Sequence, residues 1–101
     1  GRDEIFIHPG AVTPTTLKMK LAADLKAVEL AIPPEALKSC PDANGVNVAI
    51  QLGGENLWTG LVSPTKSQTV QLRGDGERDV KIVVDNNGQP NCDHLHARFT
   101  R

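Results

Sequence analysis

The strongest constraint in this sequence is a two-residue period that recurs over short distances and is each time cut off by glycine or proline. In Val46-Asn-Val-Ala-Ile-Gln-Leu52 the apolar side chains at 46, 48, 50 and 52 alternate with Asn47, Ala49 and Gln51. Extended backbone turns successive side chains to opposite faces, so such a run suits a strand with one face buried and one wet. The same pattern returns in Leu17-Lys-Met-Lys-Leu21, with Leu17, Met19 and Leu21 inward, in Val70 and Leu72, and in Val80-Lys-Ile-Val-Val84. Near the C-terminus, Leu95, Ala97 and Phe99 share one face and His94, His96 and Arg98 the other. A first strand is expected over 3–8, with Ile5 and Ile7 opposite Phe6 and His8.

The interruptions are as regular as the runs. Pro9-Gly10 ends the first strand, because proline cannot continue a ladder, and an extended connector follows over 13–16. Pro33-Pro34 stops regular structure before a short helical turn over 35–38. Residues 41–45, 53–56 and 74–76 are turns by composition, and Pro64 ends a strand over 57–62. The stretch 22–30 is ambiguous, since its alanines, Leu25 and charged residues suit two helical turns. Val28, Leu30 and Ile32 nevertheless alternate with Glu29 and Ala31, so a strand over about 27–32 is the preferred reading. About eight short strands with no long helix predict an all-β fold, an antiparallel β-sandwich.

At 101 residues, the whole chain (1–101) is expected to be one domain, excised from something longer. A net charge of -1 gives no electrostatic footprint for nucleic acid. No apolar run approaches the roughly 20 residues of a membrane span, and no signal peptide is visible.

Two stretches carry chemistry. The loop over 85–93 holds Asp85, Asn86, Asn87, Asn91 and Asp93, hard oxygen donors of the kind calcium takes, although an ordinary Asx-rich turn explains them as well. Asp42 and Asn44 join that set if their loop lies close. Beyond it, His94 and His96 would stand about 7 Å apart on one strand face. If the first and last strands are neighbours, His8 would complete a three-nitrogen site suited to zinc or copper. Solvated histidines are the simpler explanation. No catalytic constellation is present: Ser39, Ser63 and Ser67 lack a Gly-x-Ser-x-Gly context, and no glycine loop would cradle phosphate. The chain is therefore read as a non-enzyme.

Val83-Val-Asp-Asn-Asn-Gly88 followed by Cys92-Asp-His94 resembles the closing motif of the NPCBM / family 51 carbohydrate-binding modules. Ile5-Phe-Ile-His-Pro-Gly10 resembles the family's opening strand, and Gly45 to Trp58 its valine-rich hairpin, so the order of pieces covers the chain. The family's Asp-Gly turn is Gly53-Gly54 here, and His96 stands near the place of a Trp that commonly follows the Asp-His pair. The resemblance implies a galactose-binding-domain-like jelly roll. It also implies a carbohydrate partner of terminal galactose or GalNAc type, a parent catalytic domain in cis, and an extracellular, periplasmic or cell-surface location. It assigns Asn87, Asp93 and His94 to the sugar and brings in a structural calcium on Asp85, Asn86 and Asp93. In such an exported family Cys40 and Cys92 are either two unrelated thiols or one disulfide. By loop-entropy models that bridge contributes roughly 4 kcal/mol.

Trp58 is the only tryptophan in a chain with no tyrosine. By alternation either Leu57 or Trp58 faces out. If Trp58 does, its ring is a platform for sugar stacking; if not, it fills the core. The first reading of function is thus a non-catalytic carbohydrate-binding module. Its rivals are a ligand-free sandwich packing on a neighbouring domain and a transition-metal protein built on His8, His94 and His96.

Overall fold

A computed structural model describes residues 4–7, 13–33, 35, 38, 40–41, 44–74, 77–86 and 94–101. The strands are β1 (Glu4–Ile7), β2 (Thr15–Leu21), β3 (Ala27–Ala31), β4 (Val46–Leu52), β5 (Glu55–Val62), β6 (Gln68–Gln71), β7 (Arg78–Asn86) and β8 (Leu95–Thr100). They form two antiparallel four-stranded sheets, β1-β8-β3-β6 and β2-β7-β4-β5. Among these strands the chain changes sheet at every connection except the β4–β5 hairpin, in jelly-roll manner. The all-β antiparallel sandwich anticipated from the alternation is the architecture observed.

The inward rows are the ones the period marks. Val80, Ile82 and Val84 of β7 lie beside Leu52, Ile50 and Val48 of β4, and Val28 and Leu30 of β3 beside Phe99 and Ala97 of β8. All but Leu52 are buried, and Leu52 packs against the core. Leu17 and Met19 on the edge strand β2 are half-buried and pack on the same core, as expected. The ambiguous stretch is a turn at Ala23-Asp24 followed by β3, because Val28 and Leu30 face inward while β8 and β6 pair on either side. A helix there would have left β8 and β6 without a partner between them.

Some strand boundaries differ from the sequence reading. The β4–β5 turn is two residues, Gly53-Gly54, both at positive φ (59° and 87°), which matches the right-handed twist of the flanking strands. Glu55 and Asn56 accordingly belong to β5. β7 runs on to Asn86, since Val46 and Asn47 of β4 continue to pair with Asn86 and Asp85.

Register fixes which strand ends meet. β1, β3, β5 and β7 finish, and β2, β4, β6 and β8 begin, at one end of the sandwich, here the loop end. The opposite end is closed by Arg78. Its Nη1 donates to the carbonyls of Arg73 (2.5 Å) and Gly74 (2.9 Å), and its Nη2 to those of Leu25 (2.9 Å) and Ala22 (3.5 Å). One guanidinium thereby joins the β2–β3 and β6–β7 connections. A lysine cannot reproduce that planar fork. Arg78→Lys is therefore expected to lower stability by about 1–3 kcal/mol, read from urea unfolding, with near-wild-type stability refuting the clamp.

Candidate functional site

The loop end collects several of the polar residues singled out by sequence. Asp85 and Asn86 close β7 there, Asn44 and Gly45 lead into β4, and exposed His94 precedes β8. Gly45 is held at φ 95°, and a Cβ on it would stand 2.4 Å from the Val62 carbonyl oxygen, so only glycine lets β4 start this close to the end of β5.

The proposed calcium set is only partly assembled by what is described. Asp85 and Asn86 are half-buried ladder residues rather than loop residues, because pairing with β4 continues through both. Adjacent strand positions point to opposite faces, so Asp85 takes the outer face of its sheet while Asn86 takes the inner one. Side-chain oxygens of both on one ion would require the strand to be bent there. Asp85 lines a hollow of about 410 Å³ on the outer face, together with Pro14, Asn47, Thr59, Leu61 and Val83. Asp93, Asn87, Asn91 and Asp42 lie outside the described residues. Among the described residues no group of three or more His, Cys, Asp and Glu is placed to hold a metal ion.

Trp58 is not with these residues. It pairs with Ile50, an inward position, and packs half-buried against the core. The expectation of one residue in and one out fails because the β4–β5 register slips between Ile50 and Gln51. Leu57 is the extra residue of this bulge, and it too is half-buried against the core. Gly60, two positions along the same face, makes room for the indole: a Cβ there would fall 2.6 Å from the ring. Four residues of strand, roughly 13 Å, separate Trp58 from the end of β5 at Val62. Of the two readings the sequence leaves open, this position is nearer to core filling than to a platform, with the indole half-buried on the inner side of β5.

The histidine reading meets a similar obstacle. β1 and β8 are indeed neighbours, with Phe6 opposite His96. The His96 ring, however, stacks on Phe6 at 4.5 Å between centroids and 9° between planes, and its Nε2 stands 3.3 Å from a Glu4 carboxylate oxygen. His96 thus faces Phe6 and the Glu4 carboxylate, its Nε2 making no hydrogen bond, and His8 lies outside the described residues. Phe6, 66% exposed, is an aromatic surface that the sequence reading did not single out. The available signal was alternation, which sets Phe6 on the face opposite Ile5 and Ile7. Cys40, half-buried, is not a free thiol, and Cys92 lies outside the described residues.

Comparison with solved structures places the fold. The chain is similar to the CBM51 of Clostridium perfringens GH95, solved in complex with methyl-galactose, with a TM-score of 0.70 and 19% identity over 96% of this chain and 69% of that one. It is also similar to the structure of the M60 catalytic domain with the CBM51-1 and CBM51-2 domains of Clostridium perfringens ZmpB, at a TM-score of 0.66, 19% identity and 96% of this chain. The CBM51-2 and INT domains of ZmpB match at 0.50 over 81%, again at 19% identity. The chain spans 10% and 20% of the length of those two ZmpB structures. No protein-family model and no curated protein sequence matches. The fold is therefore CBM51-like, a β-sandwich module of the architecture anticipated from the motifs.

If Trp58 belongs to the core, Trp58→Ala should cost about 3 kcal/mol in urea unfolding. A stable variant that has lost only glycan binding would return the ring to the surface.

Proposed function

We propose that this chain is a non-catalytic carbohydrate-binding module. The observation that carries the reading is the likeness, over 96% of the chain, to a CBM51 solved with methyl-galactose. The module is not an enzyme. It holds a terminal sugar of galactose or GalNAc type at the loop end through Asn87, Asp93 and His94. Its service to a catalytic domain in the same polypeptide is proximity, which raises the local concentration of that domain on its substrate. Hydroxyl-rich sugars suit such a site, since amides, carboxylates and imidazoles offer both donors and acceptors. Recognition rests mainly on those polar groups, because the tryptophan that would stack a sugar ring is half-buried against the core.

In this reading calcium is held by Asp85, Asn86 and Asp93, with the end of β7 bending so that the two neighbouring side chains reach one ion. Cys40 bridges to Cys92 and ties the β3–β4 connection to the same region, in keeping with an extracellular, periplasmic or cell-surface setting. Mass spectrometry tests the bridge directly. Thiol alkylation without reductant should leave both cysteines unmodified, and labelling of either one refutes it.

A glycan array with calcium, repeated with chelator, tests the function. Selective binding to terminal galactose or GalNAc glycans, weakened by chelator, is the expected result. A blank under both conditions from folded protein overturns the sugar reading and leaves a packing domain. Binding that chelator leaves intact overturns the calcium assignment alone.

A further inference from the structure

The outer face of the β2-β7-β4-β5 sheet holds a feature unrelated to the loop end. Lys18 and Lys81 are directly opposite each other across β2 and β7, and Lys20 stands opposite Asp79 one pair further along. Gln51 of β4 flanks Lys81 on the other side. These side chains and the Gly54 turn line a hollow of about 420 Å³. That volume is within the ~300–1,000 Å³ range of small-molecule sites. Like charges placed directly opposite on a sheet oppose folding. Among the described residues neither an ion pair nor a side-chain hydrogen bond engages Lys18, Lys20, Lys81 or Asp79. Lys20 and Asp79 are not joined even though the register sets them side by side. The face therefore presents three uncommitted ammonium groups, one uncommitted carboxylate and one amide around a single hollow, on a chain whose net charge is -1.

The mixture of groups identifies the ligand class. A bare inorganic anion or a polyphosphate would be drawn by the lysines and repelled by Asp79. A neutral sugar would use Asp79 and Gln51 and leave the lysines unanswered. A ligand that carries an anionic group and hydroxyl donors on one small ring satisfies all of them. The lysines take its carboxylate or sulfate, while Asp79 accepts a hydrogen bond from a hydroxyl. We propose that the hollow lined by Lys18, Lys20, Gln51, Asp79 and Lys81 is a second binding site, for an anionic sugar bearing a carboxylate or a sulfate. This site stands apart from the loop-end reading, and either can fail without the other.

The test is an NMR titration of the isotope-labelled chain with galacturonic acid, galactose 6-sulfate, galactose and inorganic sulfate, at about 150 mM salt so that loose surface attraction is screened. At least one of the two anionic sugars should move the amides of Lys18, Gln51, Gly54 and Lys81 saturably, and galactose should leave them in place. Which of the two does so distinguishes carboxylate from sulfate. The double variant K18Q/K81Q should weaken that binding by about tenfold or more. It should also raise the urea midpoint slightly, since the like-charge pair is gone. Asp79→Ala gives the sharper result, since it removes the acceptor that asparagine would keep: the preference for the anionic sugar over inorganic sulfate should fall. The proposal is overturned if neither anionic sugar moves these amides, or if galactose moves them equally. It is likewise overturned if Asp79→Ala changes the affinities for sugar and sulfate by the same factor, the signature of an unspecific cationic patch. Galactose shifts confined to Asn86, His94 and their neighbours would report on the loop end alone.

Discussion

Everything in this molecule depends on burying two central strands between their neighbours. β7 lies between β2 and β4, β8 lies between β1 and β3, and their inward rows are aliphatic apart from Phe99. Val80, Ile82 and Val84 on one side and Leu95, Ala97 and Phe99 on the other are all essentially inaccessible. Removing a Val, Leu or Phe side chain from water contributes about 1.5–3 kcal/mol, and no surface contact here approaches that. The Arg98–Glu29 pair at 3.1 Å joins half-exposed groups, and pairs of that kind contribute about 0–1 kcal/mol. The Arg78 fork is different in kind. It spends a charge on four carbonyls that the β2–β3 and β6–β7 connections present at one spot, and so closes the sandwich where no ladder can.

Because burial fixes every second residue, the outward residues and the connections remain free to carry chemistry. That freedom explains why the two candidate regions are where they are. The loop end gathers polar groups from separate connections because antiparallel strands start and stop there. The outer face gathers Lys18, Lys81 and Asp79 because one register sets alternate residues of β2 and β7 side by side. Neither arrangement strengthens the core, and the lysine pair works against it. Features that oppose folding at no structural gain are where function is expected to be found.

The strands and their inward faces were legible in the sequence because alternation reports burial directly. Leu95 to Phe99 is a case in which pattern and structure coincide residue for residue, and Val46 to Ile50 is another. The stretch 22–30 was harder, since its local preference is mildly helical and only pairing with β6 and β8 decides the matter. What the sequence could not express was register. A slip of one residue between Ile50 and Gln51 brings both Leu57 and Trp58 against the core, and no local signal announces it. The same limit hid the Lys18–Lys81 opposition, because those residues are far apart in the chain and each looks like an ordinary solvated lysine. Length was misjudged for β7 because Asp85 and Asn86 have loop-like composition. Their partners on β4 hold them in the ladder regardless.

The position of Trp58 changes the chemistry expected of the whole molecule. Of the three aromatic residues, Phe99 is buried and Trp58 packs on the core, which leaves Phe6 as the exposed ring. One face of Phe6 is already covered by His96, so its remaining surface is a narrow edge-strand patch rather than a broad stacking plane. A long, flat polysaccharide held by a row of rings has no counterpart on the described surface. In the proposed module, recognition would come from converging polar groups, which select by the number and direction of hydrogen bonds and reject analogues lacking one. Such groups suit short or terminal sugars, whose many hydroxyls can be met from several sides at once. A fold shared at 19% identity leaves the identity of those groups open, because the inward pattern can persist while every outward residue changes. What this chain binds is therefore decided by the residues its core does not need.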